Sequence, residues 1–453
     1  MKETPKRVVI VGGGFGGLYA AKTLSNEAVE VTLIDRKNHH TFQPLLYQVA
    51  LAVLSPAEIA SPLRHILHKS RNVRTILGEV AGFDTNSRRV KLIGGGELEY
   101  DYLIVAAGAR HAYFGHDEWA DEAPGLKTIE DAVEIRRRLL LAFEKAERAA
   151  LLSERQVPPT FAIIGGGPTG VELAGAIADL ARLVLAKDFK AIDTRKSRVR
   201  LYEGSARVLA TFSEESSRSA KRQLEELGVE VFTESMVTAV EPGRIKVGDE
   251  WVTADVTLWA TGVAASPLGK ELGAKTDRAG RVLIEPDLSI PGGREVFLIG
   301  DMSALTDVNG TVVPGLAAAA IQQGKAAAEN ILRDLRGEKR LPFKYQDRGT
   351  MATIGHHRAV AEFGNKKFSG VIAWLLWSLV HVFLLIGFRS RATVMRQWIW
   401  AYVTREGASP LITEYQRPAS ASGRGEEVPT SGREHIPSEA EIGARTRYIK
   451  RER

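Results

Sequence analysis

The stretch Arg7-Val-Val-Ile-Val-Gly-Gly-Gly-Phe-Gly-Gly17 decides the fold of the N-terminal part of the chain. Its first five residues form a short β-branched run, which is typical of a strand buried in a parallel sheet. The glycines at 12, 14 and 17 provide a tight turn, close approach of the backbone to a pyrophosphate, and close packing of helix on strand. The stretch therefore predicts a strand, a turn and a helix whose N-terminus binds a dinucleotide.

A second strand completes this unit. A helix is predicted at Leu18–Leu24 and a strand at Val29–Ile34, and this strand ends in Asp35, 18 residues after Gly17. A carboxylate at this position is placed to accept hydrogen bonds from ribose hydroxyls. The run Asp101–Gly108 is predicted to close the unit as a further strand.

The same pattern recurs 153 residues later. A strand at Thr160–Ile164 leads into the turn Gly165-Gly-Gly-Pro-Thr-Gly170, a helix follows at Val171–Leu185, and the strand Arg198–Tyr202 ends in Glu203. A fold unit repeated once at this spacing is a domain duplication and not a short solenoid repeat. The sequence thus predicts an α/β protein with two Rossmann-like dinucleotide-binding domains.

The acid of the second unit indicates which nicotinamide cofactor binds. The carboxylate of Glu203 would repel a 2′-phosphate, so the sequence favours NADH over NADPH. Arg207 lies nearby, however, and an arginine at such a position is able to bind the phosphate.

Composition narrows the chemistry. The 453 residues include no cysteine, which excludes disulfides, thiolate-held iron–sulfur clusters and thiol nucleophiles. Any redox chemistry must therefore come from a bound cofactor. The formal net charge is +6, and the segment 348–405 alone holds eight Lys/Arg and one acid. A basic excess beside apolar residues favours an anionic membrane surface over nucleic acid as a partner.

The C-terminal part differs from the rest. Residues 368–388 contain no Asp, Glu, Lys or Arg over 21 positions, and an amphipathic helix is predicted at 392–404. Its predicted apolar face consists of Met395, Trp398, Ile399 and Tyr402. We expect both segments to lie in the membrane plane or to insert partly. A transmembrane span and a soluble core helix are the alternatives. From Glu406 the polar composition predicts a disordered tail.

These features together resemble a known family. The paired fingerprints, Ala-Ala-Gly108, Ala-Thr-Gly262 and Ile-Gly-Asp301 are similar to those of flavoprotein reductases with two dinucleotide-binding domains. The stretch Asn38–Gln48, with Met351–Gly355 and the Trp-rich C-terminus, resembles the type II (single-subunit, non-pumping) NADH:quinone oxidoreductases. The resemblance covers residues 7–405. It implies FAD at the first fingerprint and NADH at the second, with electrons passed on to a membrane quinone.

The resemblance also implies a domain organisation and a location. It divides the chain into residues 1–115 and 273–345 for FAD, 116–272 for NADH, 346–405 for membrane association, and the tail 406–453. No signal peptide is expected, because the apolar run Val8–Val11 leads directly into glycines. The expected location is the cytoplasmic face of the cell membrane, as a peripheral or monotopic protein, and the resemblance favours a homodimer.

The resemblance assigns cofactor contacts to the two turns and to the strand ends. Asp301 would bind the flavin ribityl chain, and the helix from Gly315 would direct its N-terminal amides at the isoalloxazine. The residues implied for FAD are Gly12, Gly14, Phe15, Gly16, Gly17, Asp35, Arg36, Ala107, Gly108, Gly300, Asp301, Ala317 and Ala318. Those implied for NADH are Gly165, Gly167, Pro168, Thr169, Gly170, Glu172, Glu203, Thr261 and Gly262.

Two residues are candidates for a catalytic role, and three more for the quinone channel. By the resemblance, Glu172 lies near both nicotinamide and flavin. Gln322 matches the last position of the family's quinone motif Ala-Gln-x-Ala-x-Gln, whose first Gln is Ala318 here. The candidate quinone residues are Gln43, Pro44, Tyr47 and Gln322.

No metal site is expected. The adjacent pairs His39-His40 and His356-His357 have no carboxylate at ligand spacing, which favours surface or packing roles.

Two other functions stay open at this point. One is a reductase of a soluble acceptor, either a ferredoxin-type protein or oxygen, whose C-terminal helices form a dimer interface. The other is a non-catalytic nucleotide-binding membrane protein.

Overall fold

The computed structural model of the chain describes residues 4–153, 156–386, 388–404 and 410–412. The tail predicted to be disordered lies outside these residues, apart from 410–412. In the N-terminal part the elements are β1 (Lys6–Val11), α1 (Phe15–Thr23), β2 (Val29–Asp35), β3 (His39–Thr41), α2 (Leu46–Ala50), α3 (Pro56–Ile59), β4 (Ala60–Pro62), α4 (Leu63–Ile66), β5 (Val73–Leu77), β6 (Val80–Asp84), β7 (Arg89–Leu92), β8 (Glu97–Glu99), β9 (Tyr102–Val105), β10 (Ala109–His111) and α5 (Ile129–Ser153).

The middle of the chain contains the second unit and then returns to the first. Its elements are β11 (Thr160–Ile164), α6 (Pro168–Asp179), β12 (Arg198–Tyr202), α7 (Glu214–Glu226), β13 (Val229–Phe232), β14 (Val237–Glu241), β15 (Arg244–Val247), β16 (Glu250–Thr253), β17 (Val256–Trp259), β18 (Val263–Ala265), β19 (Val282–Leu283), β20 (Ser289–Ile290), β21 (Gly293–Leu298), β22 (Ser303–Ala304) and α8 (Ala317–Leu335). The C-terminal elements are β23 (Thr350–Gly355), β24 (Arg358–Phe363), β25 (Lys366–Ser369), α9 (Gly370–Leu384) and α10 (Phe388–Thr404).

The first sheet has six strands in the order β20-β21-β9-β1-β2-β5. Strand β1 pairs in parallel with β2 and with β9, and β21 pairs in parallel with β9 although the two are far apart in sequence. The central strands are apolar on both faces, and Val8 and Ile10 are fully buried. The sheet is therefore completed by a segment that follows the whole second domain.

Helices α1 and α8 cross on this sheet with their backbones in contact. A Cβ built on Gly324 would lie 2.2 Å from the carbonyl oxygen of Gly16, so glycine is required at 324. This crossing brings the N-terminus of α8 to the first glycine turn.

The second sheet, β13-β12-β11-β17, is parallel throughout. The linkers between the two domains pair with each other as the antiparallel strands β10 and β18. Both sheets confirm the predicted pair of Rossmann-like domains.

The C-terminal part is an antiparallel sheet, β23-β24-β25, followed by α9 and α10. It lies tightly on α6, because a Cβ on Gly175 would be 1.5 Å from the carbonyl oxygen of Ile354. The charge-free run 368–388 does not form one helix, since Phe368 and Ser369 belong to β25 and α9 ends at Leu384. Among the described residues, no helix combines the length and the apolar character that crossing a membrane requires.

The residues of the predicted apolar face of α10 differ in burial. Val394 and Trp398 are buried, whereas Met395 is 49% exposed and Ile399 is 61% exposed. Apolar residues cover more than one face of this helix, so the helical period alone does not decide which face packs inward. The packing is decided by Trp377 of α9, whose ring centroid lies 5.8 Å from that of Trp398.

Candidate active site

The first glycine turn has room for additional atoms at only one of its glycines, Gly14. Gly12 has φ +104°, and a Cβ there would lie 2.3 Å from the carbonyl oxygen of Ala106. A Cβ on Gly17 would lie 1.8 Å from the carbonyl oxygen of Gly12. A Cβ on Gly14, by contrast, would meet no atom within 4 Å. The turn thus leaves space at the N-terminus of α1, where Phe15 begins the helix, and this space fits the pyrophosphate of a dinucleotide.

The carboxylate of Asp35 shapes this turn from the end of β2. Its Oδ2 accepts a hydrogen bond of 2.5 Å from the Gly13 amide, and its Oδ1 accepts one of 2.7 Å from the Lys37 amide. Arg36, between Asp35 and Lys37 in the chain, is exposed. The structure therefore shows Asp35 holding the turn itself, and its contact with a ribose stays a prediction.

The second turn repeats the first in atomic detail. Gly165 has φ +108°, and a Cβ on Gly170 would lie 1.8 Å from the Gly165 carbonyl oxygen. Gly167 is the open position, with no atom within 4 Å of a built Cβ, and Pro168 and Thr169 begin α6 behind it. The two turns are therefore open at corresponding glycines.

Glu203 holds the second turn as Asp35 holds the first. Its Oε2 accepts a hydrogen bond of 2.6 Å from the Gly166 amide. Its Oε1 accepts bonds of 2.7 Å from both the amide and the hydroxyl of Ser205. Arg207 donates instead to the carbonyl oxygen of Ala210, at 2.9 Å. The group at the predicted ribose position is therefore a carboxylate.

The remaining residues predicted to contact FAD converge on the first turn. Ile299 and the Ala320 carbonyl oxygen lie 3.0 and 3.4 Å from a Cβ built on Gly16. These contacts bring Gly300 and Asp301 and the start of α8, at Ala317 and Ala318, to this turn. The amide nitrogen of Ala107, after the end of β9, lies 3.2 Å from a Cβ built on Gly12, and Gly108 follows it in the chain.

Lys127 is a functional candidate that sequence reasoning missed. Its Nζ lies 3.2 Å from Oδ2 of Asp301, and both side chains are largely buried. The two residues are 174 positions apart, and no motif marks the lysine. Lys127 is fixed by the N-terminus of α5, where the Asp131 carboxylate accepts hydrogen bonds from the amides of Lys127 and Thr128.

Glu172 lies just beyond the first turn of α6, which holds no acid, and it faces the C-terminal sheet. Burial raises the pKa of Glu172 to about 8, and the backbone amide of Thr353 opposes this rise. The carboxyl group is therefore largely protonated at neutral pH. Thr353 belongs to the stretch Met351–Gly355 that the sequence marked, so the second fingerprint and the C-terminal part meet at this carboxyl group.

Three of the candidate quinone residues follow β3. Gln43 is exposed, Pro44 is half-buried and Tyr47 is buried. The ring centroid of Tyr47 lies 6.2 Å from that of Trp377. In the same stretch, the ring centroid of Phe42 lies 5.9 Å from that of Phe15 in the first turn and 6.2 Å from that of His381 in α9. Aromatic rings thus connect the first turn with the C-terminal helices.

Gln322 is engaged with the chain's own backbone. Its Nε2 donates to the carbonyl oxygen of Gln346 and its Oε1 accepts from the Gln346 amide, both at 3.0 Å. The structure therefore places Gln322 on α8, where its carboxamide holds the segment leading to β23. Its role toward a quinone stays a prediction.

The adjacent histidine pairs occupy packing or surface positions, with His40 buried and His357 exposed. His40 is buried with Nδ1 3.0 Å from the Gly13 carbonyl oxygen, and burial lowers the pKa of His40 to about 4. His356 and His357 contact each other, with ring centroids 3.9 Å apart. Across the part of the chain that the structure describes, no group of three or more His, Cys, Asp or Glu residues is arranged to hold a metal.

His381 was also missed by sequence reasoning. Its ring stacks on Trp377 at 4.3 Å, with Nδ1 2.7 Å from the Trp377 carbonyl oxygen. Burial lowers the pKa of His381 to about 4, so the imidazole is neutral at physiological pH. The signal in the sequence was its position, since His381 is a titratable residue within the charge-free run 368–388.

Two family models match the chain. The pyridine nucleotide-disulphide oxidoreductase model matches residues 6–324, and the NDH2 C-terminal domain model matches residues 348–405. The first of these covers more than half of the sequence.

Individual proteins agree with these matches. The type II NADH:quinone oxidoreductase Ndh of Mycobacterium tuberculosis is 44% identical over 425 residues, covering 90% of this chain and 91% of that protein. The type II NADH:quinone oxidoreductase of Haemophilus influenzae is 30% identical, over 80% of this chain and 88% of that protein. The structure of NDH2 from Plasmodium falciparum in complex with NADH shares the fold, with a TM-score of 0.82 at 20% identity, over 90% of this chain and 99% of that one. The chain therefore belongs to the type II NADH:quinone oxidoreductases, within the pyridine nucleotide-disulphide oxidoreductase family.

Proposed function

We propose that this chain oxidises NADH and reduces a membrane quinone through bound FAD, without pumping protons. The observation that carries the proposal is the pair of glycine turns, here called the first and second cradle. Each cradle has room for a ligand at one glycine, Gly14 or Gly167, and the backbone of each is held by one carboxylate. When bound, FAD would supply the redox chemistry, as the carrier of two electrons between NADH and the quinone. The protein itself supplies binding, orientation and electrostatics.

The first cradle fits FAD. The open face of Gly14 and the N-terminus of α1 suit the pyrophosphate, because helix N-terminal amides stabilise negative charge. Asp301 is held by Lys127 beside this turn, where a carboxylate can accept hydrogen bonds from ribityl hydroxyls. The residues proposed to hold FAD are Gly12, Gly14, Phe15, Gly16, Gly17, Asp35, Arg36, Ala107, Gly108, Gly300, Asp301, Ala317 and Ala318.

The second cradle suits NADH. Glu203 presents a carboxylate where a 2′-phosphate would carry like charge, which supports NADH over NADPH. The residues proposed to hold NADH are Gly165, Gly167, Pro168, Thr169, Gly170, Glu172, Glu203, Thr261 and Gly262.

Glu172 is proposed to keep a proton in the site at neutral pH. Its raised pKa means that NADH, which already carries two phosphate charges, enters without a further buried negative charge nearby. Reduction of a quinone to a quinol consumes two protons, and a protonated carboxyl group is a suitable donor.

The quinone is proposed to enter along the aromatic rings that join the first turn to α9. Phe42, Tyr47 and Trp377 form apolar contacts there, and Gln43 and Pro44 flank them. Apolar and aromatic walls with few polar groups are typical of sites for such ligands. Ala318 lies one helical turn before Gln322 on α8 and offers no hydrogen-bond donor.

An exposed apolar surface supports association with the membrane. On α9, Ile372, Leu375, Leu379 and Phe383 are 56% to 70% exposed. They recur at a spacing of three or four residues and form one helix face. Ile399 and Trp400 of α10 are also exposed, at 61% and 56%. We propose that these residues rest in the lipid interface, at the cytoplasmic face of the membrane, as in a monotopic protein. A homodimer stays a prediction.

A turnover assay tests the proposed function. The purified flavoprotein should oxidise NADH rapidly only when a short-chain quinone is added. Equal rates with oxygen or a ferredoxin alone, or no quinone-dependent turnover, would favour reduction of a soluble acceptor instead.

A further inference from the structure

Phe114 has an unusual backbone conformation for a bulky residue. Its φ is +54°, in the left-handed region that L side chains rarely adopt. Its ring is 70% exposed, although its chain neighbour Tyr113 is buried. Strained residues persist only where the surrounding structure fixes them, and they concentrate at ligand sites.

The residues around Phe114 fix this conformation. Tyr113 stacks on Trp259 at 5.2 Å and its hydroxyl donates to the Ala123 carbonyl oxygen at 3.0 Å. The Trp259 indole N–H donates to the Ala112 carbonyl oxygen at 2.8 Å. Since the chain is anchored immediately before it, the left-handed turn directs the Phe114 ring outward.

The ring lies at the carboxyl edge of the second sheet. A Cβ built on Gly262 would lie 3.0 Å from Cζ of Phe114. Gly262 follows β17, and the preceding Thr261 lies 2.8 Å from a Cβ built on Gly165, the first glycine of the second turn. Phe114 is therefore beside the second cradle, although it belongs to the linker from the other domain.

The strand order indicates which half of the dinucleotide this ring faces. The sheet runs β13-β12-β11-β17. Glu203, at the end of β12, marks the adenosine ribose, and the turn after β11 marks the pyrophosphate. The nicotinamide half must then extend on the other side of β11, toward β17, where Gly262 and Phe114 lie.

We propose that Phe114 forms a wall of the nicotinamide subsite and packs its ring against the nicotinamide ring of NADH. This inference rests on the proposed function, which places NADH in the second cradle. Binding would cover an aromatic ring that is exposed in the free protein, and planar groups gain by stacking on such a ring. The missing side chain at Gly262 leaves the ring accessible from that side.

The test compares two ligands that differ only in nicotinamide. NAD⁺ and ADP-ribose are titrated by calorimetry into the FAD-loaded enzyme and into the variants Phe114→Asn and Phe114→Tyr. Asparagine tolerates the left-handed conformation, so Phe114→Asn removes the ring and retains the backbone. We expect NAD⁺ to bind about two- to tenfold more weakly to Phe114→Asn, with ADP-ribose affinity retained. Phe114→Tyr should restore NAD⁺ affinity.

The other outcomes contradict the inference. Unchanged NAD⁺ affinity in Phe114→Asn, or an equal loss for both ligands, would overturn it. Failure of the unsubstituted enzyme to bind either ligand would instead overturn the proposed function. If Phe114→Asn does not fold, Phe114→Gly is used, because glycine adopts the same φ without strain.

Discussion

The indole N–H of Trp398 donates a hydrogen bond of 2.8 Å to Oε1 of Gln48, across 350 residues of chain. Both side chains are buried, and Gln48 in turn donates from Nε2 to the Tyr47 hydroxyl at 2.8 Å. The C-terminal helices are thus part of the core that supports the predicted quinone residues. Truncation before Phe368 would uncover this core, so we expect it to impair folding as well as membrane binding.

Replacing Trp398 tests this connection. Trp398→Phe leaves the buried Gln48 carbonyl without its donor, which should lower the free energy of unfolding by about 1–3 kcal/mol. Denaturant unfolding of the FAD-loaded protein in detergent measures the change. Ile399→Val, at an exposed neighbour, should change it by less than about 0.5 kcal/mol. Equal effects of the two substitutions would show that the hydrogen bond is not important for stability.

A side chain at Gly167 should block NADH and leave the fold intact. Gly167 has φ −70°, which valine accepts, and a Cβ there meets nothing within 4 Å. Gly167→Val should therefore keep its flavin and its melting temperature but lose flavin reduction by NADH, while dithionite still reduces it. Gly170→Val is the contrasting variant, because its Cβ would lie 1.8 Å from the Gly165 carbonyl oxygen, and it should fail to fold. Normal reduction of Gly167→Val by NADH would contradict the assigned cradle.

The carboxylate of Glu203 should determine the preference for NADH. Glu203→Gln retains a hydrogen-bond acceptor for the Gly166 amide and removes the negative charge. The ratio of kcat/KM for NADH to that for NADPH should fall by about tenfold, equivalent to about 1.4 kcal/mol of relieved repulsion. Glu250→Gln, an exposed carboxylate of the same domain, is the control. An unchanged ratio in Glu203→Gln would show that another residue selects the cofactor.

The pKa of Glu172, raised to about 8, has a consequence for stability. In the unfolded chain this carboxyl group ionises near pH 4.5, so between about pH 4.5 and 8 the folded state binds more protons than the unfolded state. Its contribution to stability is therefore fully present below about pH 4.5 and is lost as the pH rises to 8. Glu172→Gln cannot titrate and should lose less stability over this range. If the free energy of unfolding of the unsubstituted protein and that of Glu172→Gln changed equally with pH, the Glu172 carboxyl group would not be desolvated.

The exposed face of α9 should mediate membrane binding. Leu379 is 69% exposed, and Leu379→Asp should reduce co-sedimentation with phosphatidylglycerol vesicles by at least about tenfold, because a charge replaces an apolar side chain that the lipid interface would bury. Turnover with a short-chain quinone in detergent should remain. Leu152→Asp, at a residue that is 75% exposed on α5, controls for the added charge. If Leu379→Asp and Leu152→Asp reduced vesicle binding equally, the loss would come from the added negative charge and not from the apolar face of α9.

Local sequence rules explain what could be predicted. The strands Thr160–Ile164 and Arg198–Tyr202 have the predicted bounds, and Gly12 and Gly165 have the left-handed φ that tight turns require. These features depend on short-range sterics and on apolar runs, which are readable from neighbouring residues.

Features that depend on tertiary packing could not be predicted in this way. The Lys127–Asp301 pair joins positions 174 residues apart, and the inward face of α10 is determined by its contact with Trp377. The charge-free run was divided because Phe368 pairs with Ala361 of β24, a partner that composition does not reveal.

Anaerobic reduction by NADH tests the central claim most directly. The purified protein should show flavin absorbance, lose it stoichiometrically when NADH is added without oxygen, and regain it when a short-chain quinone follows. Flavin absorbance that persists under excess NADH, or that a quinone does not restore, would contradict the account.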